Sequence, residues 1–461
     1  MSESDSEICI LTHLDADGIG AGSILASSLA RLGAKFCVRI ASDMNANLLA
    51  SIKNESHDFV IVTDLGGGWS GEIRNAFSGN CLIFDHHQIS EEEKLTDDEN
   101  MIFNPWKVDI DGSVEISSGG LCYLVATRLD QINRDLSPLA IVTAVADRQD
   151  QGEKRSLLGI NEEILKQAQS SGLVNADLDI LVAGRETRPC HESLAYTSFP
   201  YIHGLTWHPD ACYNLLTKAG IKLRDGSRWR TPSELSQEEK SAFIDAIARH
   251  IGVSGAEAGG IINELIGRVY TLNNEDARTQ LRDAREFGTL LNACGRIGKA
   301  GVGVAVCLGD RNNMLSEAER ASQSYRSTLK SYLTAIFADK WRITDSPDQV
   351  FVHGDGLVAS DMLGAVSSVL SGSALMAGKL IFLRTVSSDD PEYFKFSCRK
   401  GGSNAPRVNL GLIMRHCAAR AGGTGGGHPA AAGCRIPSNS VAEFSKLVRE
   451  SIGDSRFAKT D

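Results

Sequence analysis

Three short apolar runs near the start of this chain end in the same way, and that shared ending limits what the chain can fold into. Ile8-Cys9-Ile10-Leu11 leads into His13-Leu14-Asp15-Ala16-Asp17, Phe59-Val60-Ile61-Val62 into Asp64, and Cys81-Leu82-Ile83-Phe84 into Asp85-His86-His87. Phe36 to Ile40 reads as a further strand, and Gly20 to Leu32 as a helix closed by Gly33. Apolar strands separated by helical stretches indicate a parallel sheet covered on both faces. Helices are expected near Gly120 to Leu129 and Pro138 to Val145, the second ending at Asp147.

In open parallel sheets, ligands bind at the carboxyl ends of the strands. One Asp after a strand reads as a turn or cap residue, but three acid or imidazole clusters in register do not. Residues two apart in an extended segment point the same way, so His13, Asp15 and Asp17 are expected to project together. Asp15, Asp17, Asp64 and Asp147 would bring four negative charges into one small space, and like charges at close range cannot all stay ionised uncompensated. Two divalent cations balance them. Mixed carboxylate and imidazole donors suit manganese, iron, cobalt or zinc better than an all-oxygen magnesium site. One carboxylate must bridge, and Asp64, alone on the middle strand, is the natural candidate. Two metals about 3.5–4 Å apart can activate a water and clamp both oxygens of an in-line displacement, so the expected reaction class is phosphoester or phosphoanhydride hydrolysis.

At 461 residues the length suggests about three domains. The net charge of −11 disfavours a non-specific coat for duplex DNA. Residues 391–461 nevertheless carry a local excess of six positive charges. Residues 190–285 hold Tyr196, Phe199, Tyr201, Trp207, Tyr213 and Trp229, with charged helical stretches such as Ser236 to His250, and read as an inserted module. Met314 to Trp341 reads as a long connector helix. A new strand–helix pattern starts near Gln349 with Val350-Phe351-Val352, Lys379 to Val386 and Tyr393 to Arg399, and ends in a glycine-rich loop, Gly422 to His428. Glu91 to Glu99 reads as a solvated loop. Eleven scattered cysteines without a CxxC argue against a disulfide framework or zinc ribbon and read as small buried hydrophobes in a reducing compartment. The acidic MSESDSE start and the lack of an 18-residue apolar run point to a cytoplasmic protein with no membrane partner.

The His-x-Asp-x-Asp motif, the isolated Asp64, the Asp85-His86-His87 triplet and Asp147 resemble the DHH phosphoesterase superfamily. The stretch Gly425-Gly426-Gly427-His428-Pro429-Ala430-Ala431-Ala432-Gly433 resembles the signature of its associated C-terminal domain. Within the superfamily the chain is similar to the archaeal RecJ-like nucleases, with Asn292-Ala293-Cys294-Gly295-Arg296 in support. The resemblance implies an α/β architecture with four parts. These are a doubly wound parallel-sheet catalytic domain over 1–189, a mainly helical insert over 190–290, a return with a connector helix over 291–345, and a smaller α/β substrate-binding domain over 346–461. It implies that His13, Asp15 and Asp64 hold one metal, and that Asp17, Asp64, His86 and Asp147 hold a second. Manganese leads, with magnesium, cobalt or zinc as alternatives. His87 would contact the scissile phosphate or assist protonation, with Asp85 and Asp64 also in the catalytic set. Arg399, Gly425, Gly426, Gly427 and His428 would bind substrate phosphates, the glycines by letting successive amides converge on an anion. A basic groove with Lys400, Arg407 and Arg415 would carry the strand. The implied activity is single-strand-specific exonuclease action on DNA or RNA in replication or repair, with GINS at the replicative helicase as a partner. Phosphodiesterase action on short oligonucleotides or cyclic dinucleotides, or a structural helicase accessory, are the alternatives. Arg148 and Asp150 read equally as site-supporting or surface residues, Arg296 equally as a substrate contact or as a helix-capping or salt-bridge residue, and His353 and His416 as structural.

Overall fold

The computed structural model describes residues 7–89, 101–197, 200–252, 256–388, 390–402, 404–454 and 457. The acidic stretch Glu91 to Glu99 and Phe199 lie outside them. The chain divides into two compact units, 1–323 and 324–461.

The first unit opens with strands and helices in alternation: β1 (Glu7–His13), α1 (Ala16–Arg31), β2 (Lys35–Ala41), α2 (Ala46–Asn54), β3 (Phe59–Thr63), α3 (Ser70–Ala76), β4 (Cys81–Phe84) and β5 (Ile102–Phe103). All pair in parallel, in the order β2-β1-β3-β4-β5. Alternation along β1 shows why the run is apolar throughout. Ile8 and Ile10 enter the core built with α1, while Cys9 and Leu11 enter a second core on the opposite face with Leu49 and Ile52 of α2. After β2 the chain crosses back over β1 to form β3. The carboxyl ends of β1 and β3 therefore lie at the point where strand order reverses, the usual place for a ligand crevice.

Further helices add to the larger core: α4 (Ser118–Leu129), α5 (Ser137–Ala146), α6 (Gly159–Ser170) and, much later in the chain, α11 (Ala284–Arg296) and α12 (Ala300–Cys307). Between them, β6 (Val174–Ile180) pairs antiparallel with β9 (Ile266–Leu272) and frames the inserted module. The module contains α7 (Cys190–Ala195), α8 (Pro209–Lys218), the short hairpin β7 (Arg224–Asp225) and β8 (Arg228–Trp229), α9 (Gln237–Ile251) and α10 (Ala256–Glu264). It packs a core of its own running from Ile180 to Leu265. The expected long connector is α13 (Asn313–Ala338).

The second unit is a mixed six-stranded sheet, ordered β10 (Ile343–Asp345), β11 (Gln349–His353), β12 (Leu380–Val386), β13 (Tyr393–Lys400), β15 (Ala431–Pro437) and β14 (Thr424–Gly427). One face packs on α15 (Leu410–Arg420) and α16 (Val441–Ile452). The other packs on α14 (Leu363–Ser371) and the second half of α13. No helix among the described residues is long and apolar enough to cross a membrane.

The glycine-rich segment is not a loop. Thr424–Gly427 is an edge strand, and successive amides of a strand point to opposite sides instead of converging. Its glycines serve a close approach: a Cβ at Gly425 would sit 2.8 Å from the Met414 carbonyl of α15, and one on Gly411 would sit 2.1 Å from the Gly427 carbonyl. Gly411→Ala should therefore wedge α15 off the strand and lower stability by about 1–3 kcal/mol in denaturant unfolding.

Candidate metal centre

His13 is the last residue of β1. Leu14 follows, and Asp15 caps α1 by accepting from the Gly18 amide at 3.0 Å. The helix begins at Ala16 instead of Gly20, so Asp17 lies in its first turn. The expectation that His13, Asp15 and Asp17 project together from an extended segment is corrected here: the pleat ends at His13, and a helical turn sends Asp17 elsewhere. His13 Nδ1 lies 3.0 Å from Asp15 Oδ2 and 3.4 Å from Asp64 Oδ2. Asp17 instead joins His86, whose Nε2 is 3.6 Å from Asp17 Oδ2, 3.6 Å from Asp147 Oδ2 and 3.4 Å from Asp64 Oδ1.

Two adjoining groups result, His13 with Asp15 and Asp64, and Asp17 with His86 and Asp147, each with ligand atoms within 4.8 Å of one another. Asp64 turns one oxygen toward each. Its backbone is left-handed (φ 61°), a conformation Asp accepts more readily than most residues. Asp64 Oδ2 and His13 Nδ1 are both buried without a partner in hydrogen-bond geometry. Buried polar atoms seldom stay unpaired, and a cation held between these neighbouring groups would satisfy them. The donor set, carboxylate oxygens with imidazole nitrogens, fits divalent transition metals.

The supporting contacts come from residues that carry no charge. Asp17 accepts from the Ser118 and Gly119 amides, both at 2.9 Å, at the positive end of α4. Ser118 Oγ donates to Asp64 Oδ1 at 3.0 Å. The His86 Nδ1–H donates to the Gly112 carbonyl at 2.6 Å, which leaves Nε2 for the acids. Gln149 Nε2 donates to Asp147 Oδ2 at 2.9 Å, and Asn161 Nδ2 holds Gln149 Oε1 at 2.7 Å. From α11, Asn292 Oδ1 accepts from the Ala16 amide at 3.1 Å, while a Cβ on Gly295 would lie 1.7 Å from the Leu14 carbonyl. Of these residues the sequence reading singled out only the Asn292 to Arg296 segment.

Asp85 does not join either group. Its Oδ2 accepts from the Gly67 amide at 2.8 Å and its Oδ1 meets His87 Nδ1 at 2.7 Å, so it positions His87. A Cβ on Gly67 would sit 2.8 Å from Asp85 Oδ2, which explains one glycine of the run after Asp64. The His87 side chain is 46% exposed, the most open of the set. Arg148 is exposed, Asp150 is buried and paired with Arg285, and Arg296 ends α11. In the second unit, Arg399 pairs across β15 with Ala431, at the end of the sheet where the turn with His428 lies. Arg399 Nε donates to Ser368 Oγ at 3.2 Å.

Burial works against charge on each of these groups. In His13 the Asp15 and Asp64 carboxylates outweigh it and hold the imidazole well above its ordinary range, and Asp147, Asp64 and Asp17 do the same for His86. Burial and Asp64 push Asp17 well up; burial, with Asp64 against His86, raises Asp147. Burial in Asp15 and Asp85 is overcome by His13 and His87, and both lie well below the usual carboxylate range. Elsewhere in the unit, burial and Asp283 push Glu286 up to about 8. A raised histidine gives stability that is complete below its unfolded pKa of about 6.5 and is lost as pH climbs through the folded value. The raised carboxyls act in the same direction from about pH 4 upward, whereas the lowered pair is fully effective above about pH 4 and adds no slope there. The metal-free protein should therefore melt progressively lower as pH rises from 6 to 9. Manganese should reverse the loss and Asp64→Asn should remove most of that rescue, as read by thermal denaturation in chelator and in manganese.

Residues 7–147 match the DHH family, N-terminal domain, residues 182–266 the DHH-CID domain, and residues 359–454 the DHHA1 domain. An uncharacterized protein of Methanocaldococcus jannaschii is 29% identical over 97% of this chain and 93% of its own. CDC45 from Entamoeba histolytica superposes with a TM-score of 0.61 at 12% identity, over 97% of this chain and 96% of its own. RecJ from Thermus thermophilus, crystallised with Mn²⁺, superposes with a TM-score of 0.56 at 16% identity over 98% of this chain. The chain spans about half of that RecJ, 52% of its length. The chain thus carries matches to these three domains in this order, with the paired acid and imidazole groups inside the stretch that matches the DHH family, N-terminal domain, and its fold is like that of RecJ.

Proposed function

We propose that this protein is a metal-dependent phosphodiesterase acting as a single-strand-specific exonuclease in DNA replication or repair. The observation that carries the reading is Asp64, whose Oδ2 lies 3.4 Å from His13 and whose Oδ1 lies 3.4 Å from His86, so that one carboxylate serves two neighbouring groups. His13, Asp15 and Asp64 would hold one divalent cation, and Asp17, Asp64, His86 and Asp147 a second, with manganese first and magnesium, cobalt or zinc as alternatives. Such a pair, when bound, supplies an activated water and charge for the attacking and leaving oxygens of an in-line displacement. Ser118, Gln149 and the Gly112 carbonyl keep the protein ligands aimed before substrate arrives. His87, whose imidazole is shifted upward by the Asp85 carboxylate against its burial and whose side chain is 46% exposed, is placed to donate to a phosphate oxygen or protonate the leaving oxygen. In the second unit, Arg399 and His428 share one sheet end and are suited to phosphate contacts, and Lys400, Arg407 and Arg415 add positive charge. The glycines 425–427 would contribute through the open edge of β14 and not through a concave loop.

The sequence resemblance to archaeal RecJ-like nucleases is what implies single strands as the substrate and extends the proposal to a GINS partner. The insert offers a surface for it, where Trp207 is 47% exposed with Tyr196 at 6.1 Å between ring centroids. End-labelled single-stranded DNA and RNA incubated with manganese should release mononucleotides while duplex resists. His87→Ala should lower kcat about 10²- to 10⁴-fold, and Asp64→Asn should abolish release. Turnover of two-residue substrates alone would favour the short-oligonucleotide reading, and no cleavage with any of the four metals would overturn the assignment.

A further inference from the structure

A second cluster of metal-ligating side chains lies on the same sheet, away from the strand ends. Cys9 of β1 and Cys37 of β2 are register partners on adjacent parallel strands, so their side chains leave the same face. That face is the one covered by α2, and the connection from α2 into β3 brings His57 over the two sulfurs. Ser56, with φ 58°, makes the left-handed step before it. The two Sγ atoms and a ring nitrogen of His57 lie within 4.8 Å of one another. Cys9 is four residues back along β1 from His13, about 13 Å at the rise of a strand.

The imidazole is held as a ligand histidine is held. Its side chain is 7% exposed, and Nε2 meets Glu55 Oε2 at 3.0 Å. Glu55 Oε1 is in turn fixed by Arg39 Nη2 at 2.7 Å. A carboxylate on Nε2 fixes the proton there and leaves the Nδ1 lone pair available. His57 Nδ1 is buried and has no hydrogen-bond partner among the described residues. An imidazole nitrogen buried without a partner is costly unless something joins it, and two thiols lie within reach of the ring.

We propose that Cys9, Cys37 and His57 form a zinc site distinct from the carboxylate centre, with Glu55 as the hydrogen-bonded support of His57. Two sulfurs and one imidazole select a soft or borderline cation, whereas the carboxylate-rich groups select a harder one. Tetrahedral zinc holds its ligand atoms about 3.5–3.8 Å apart, so the three need close by only about 1 Å. Binding releases one proton from each thiol to solvent, and the two thiolates then neutralise the dication. Arg39 already balances Glu55, so the occupied site is neutral overall. Burial holds the Cys9 thiol protonated without a cation. β2 is the edge strand of its sheet and Cys37 is half-buried, which gives the cation an entry route and water the fourth position.

Cobalt(II) added to the reduced, chelator-stripped full-length protein tests the assignment, because sulfur-to-cobalt charge-transfer absorption arises only from thiolate ligands. The wild type should show that band. Cys37→Ser should lose it, His57→Gln and Glu55→Gln should weaken cobalt affinity at this site about tenfold or more, and Asp64→Asn should keep it. Zinc content after purification should fall by one equivalent in Cys37→Ser. Cys37 and His57 lie at the border of the core, and circular dichroism of each variant shows that it is folded. Absence of the band in the wild type, its persistence in Cys37→Ser, or a Cys9–Cys37 disulfide in peptide maps of protein purified under reducing conditions would overturn the proposal.

Discussion

Crowding acids at the rim of a parallel sheet is the constraint to which the rest of the first unit answers. Asp15, Asp17, Asp64 and Asp147 are gathered near two imidazoles, where burial makes every uncompensated charge expensive. The fold spreads the compensation over several elements. The start of α4 offers two amides to Asp17, the histidines lie within 3.0–3.6 Å of the acids, and uncharged Ser118 and Gln149 take up remaining lone pairs. None of this neutralises the cluster completely. Asp64 Oδ2 and His13 Nδ1, buried near each other without a partner in hydrogen-bond geometry, mark where compensation from within the chain runs out.

The parts of this design that show in the sequence are those with a period or a sharp composition. Doubly buried strands must be apolar at every position, so β1, β3 and β4 stand out, and a charged residue at the end of such a run is conspicuous. Ser118, Gln149 and Asn161 are common polar residues with no pattern to separate them from surface positions, and only the folded chain shows what they touch. The direction of Asp17 was hidden because it depends on where α1 starts, and glycines at 18 and 20 mask that start. The strand at Thr424–Gly427, within a segment that reads as a loop, has a related cause. Glycine signals conformational freedom when only neighbours in sequence are considered, whereas here it makes room for α15 to lie against backbone.

Glycine plays that spatial role repeatedly. Gly67 admits the Asp85 carboxylate, Gly295 admits the Leu14 carbonyl, and Gly411 admits the Gly427 carbonyl. In each case a missing methyl sets how closely two elements approach, and through that the position of a charged side chain or a sheet edge. Precision at the centre therefore depends on atoms that are absent as well as on those that hydrogen-bond.

The bond from the Ala16 amide to Asn292 spans 276 positions of chain. A ribosome releases β1 and the first acids long before α11 exists, and the whole insert is made in between. During that interval the start of α1 lacks its distant acceptor and Leu14 lacks the backbone that packs on it. The packing behind the acid cluster is thus completed late in synthesis, and the insert has to fold as a closed excursion that returns the chain to a core still lacking α11 and α12.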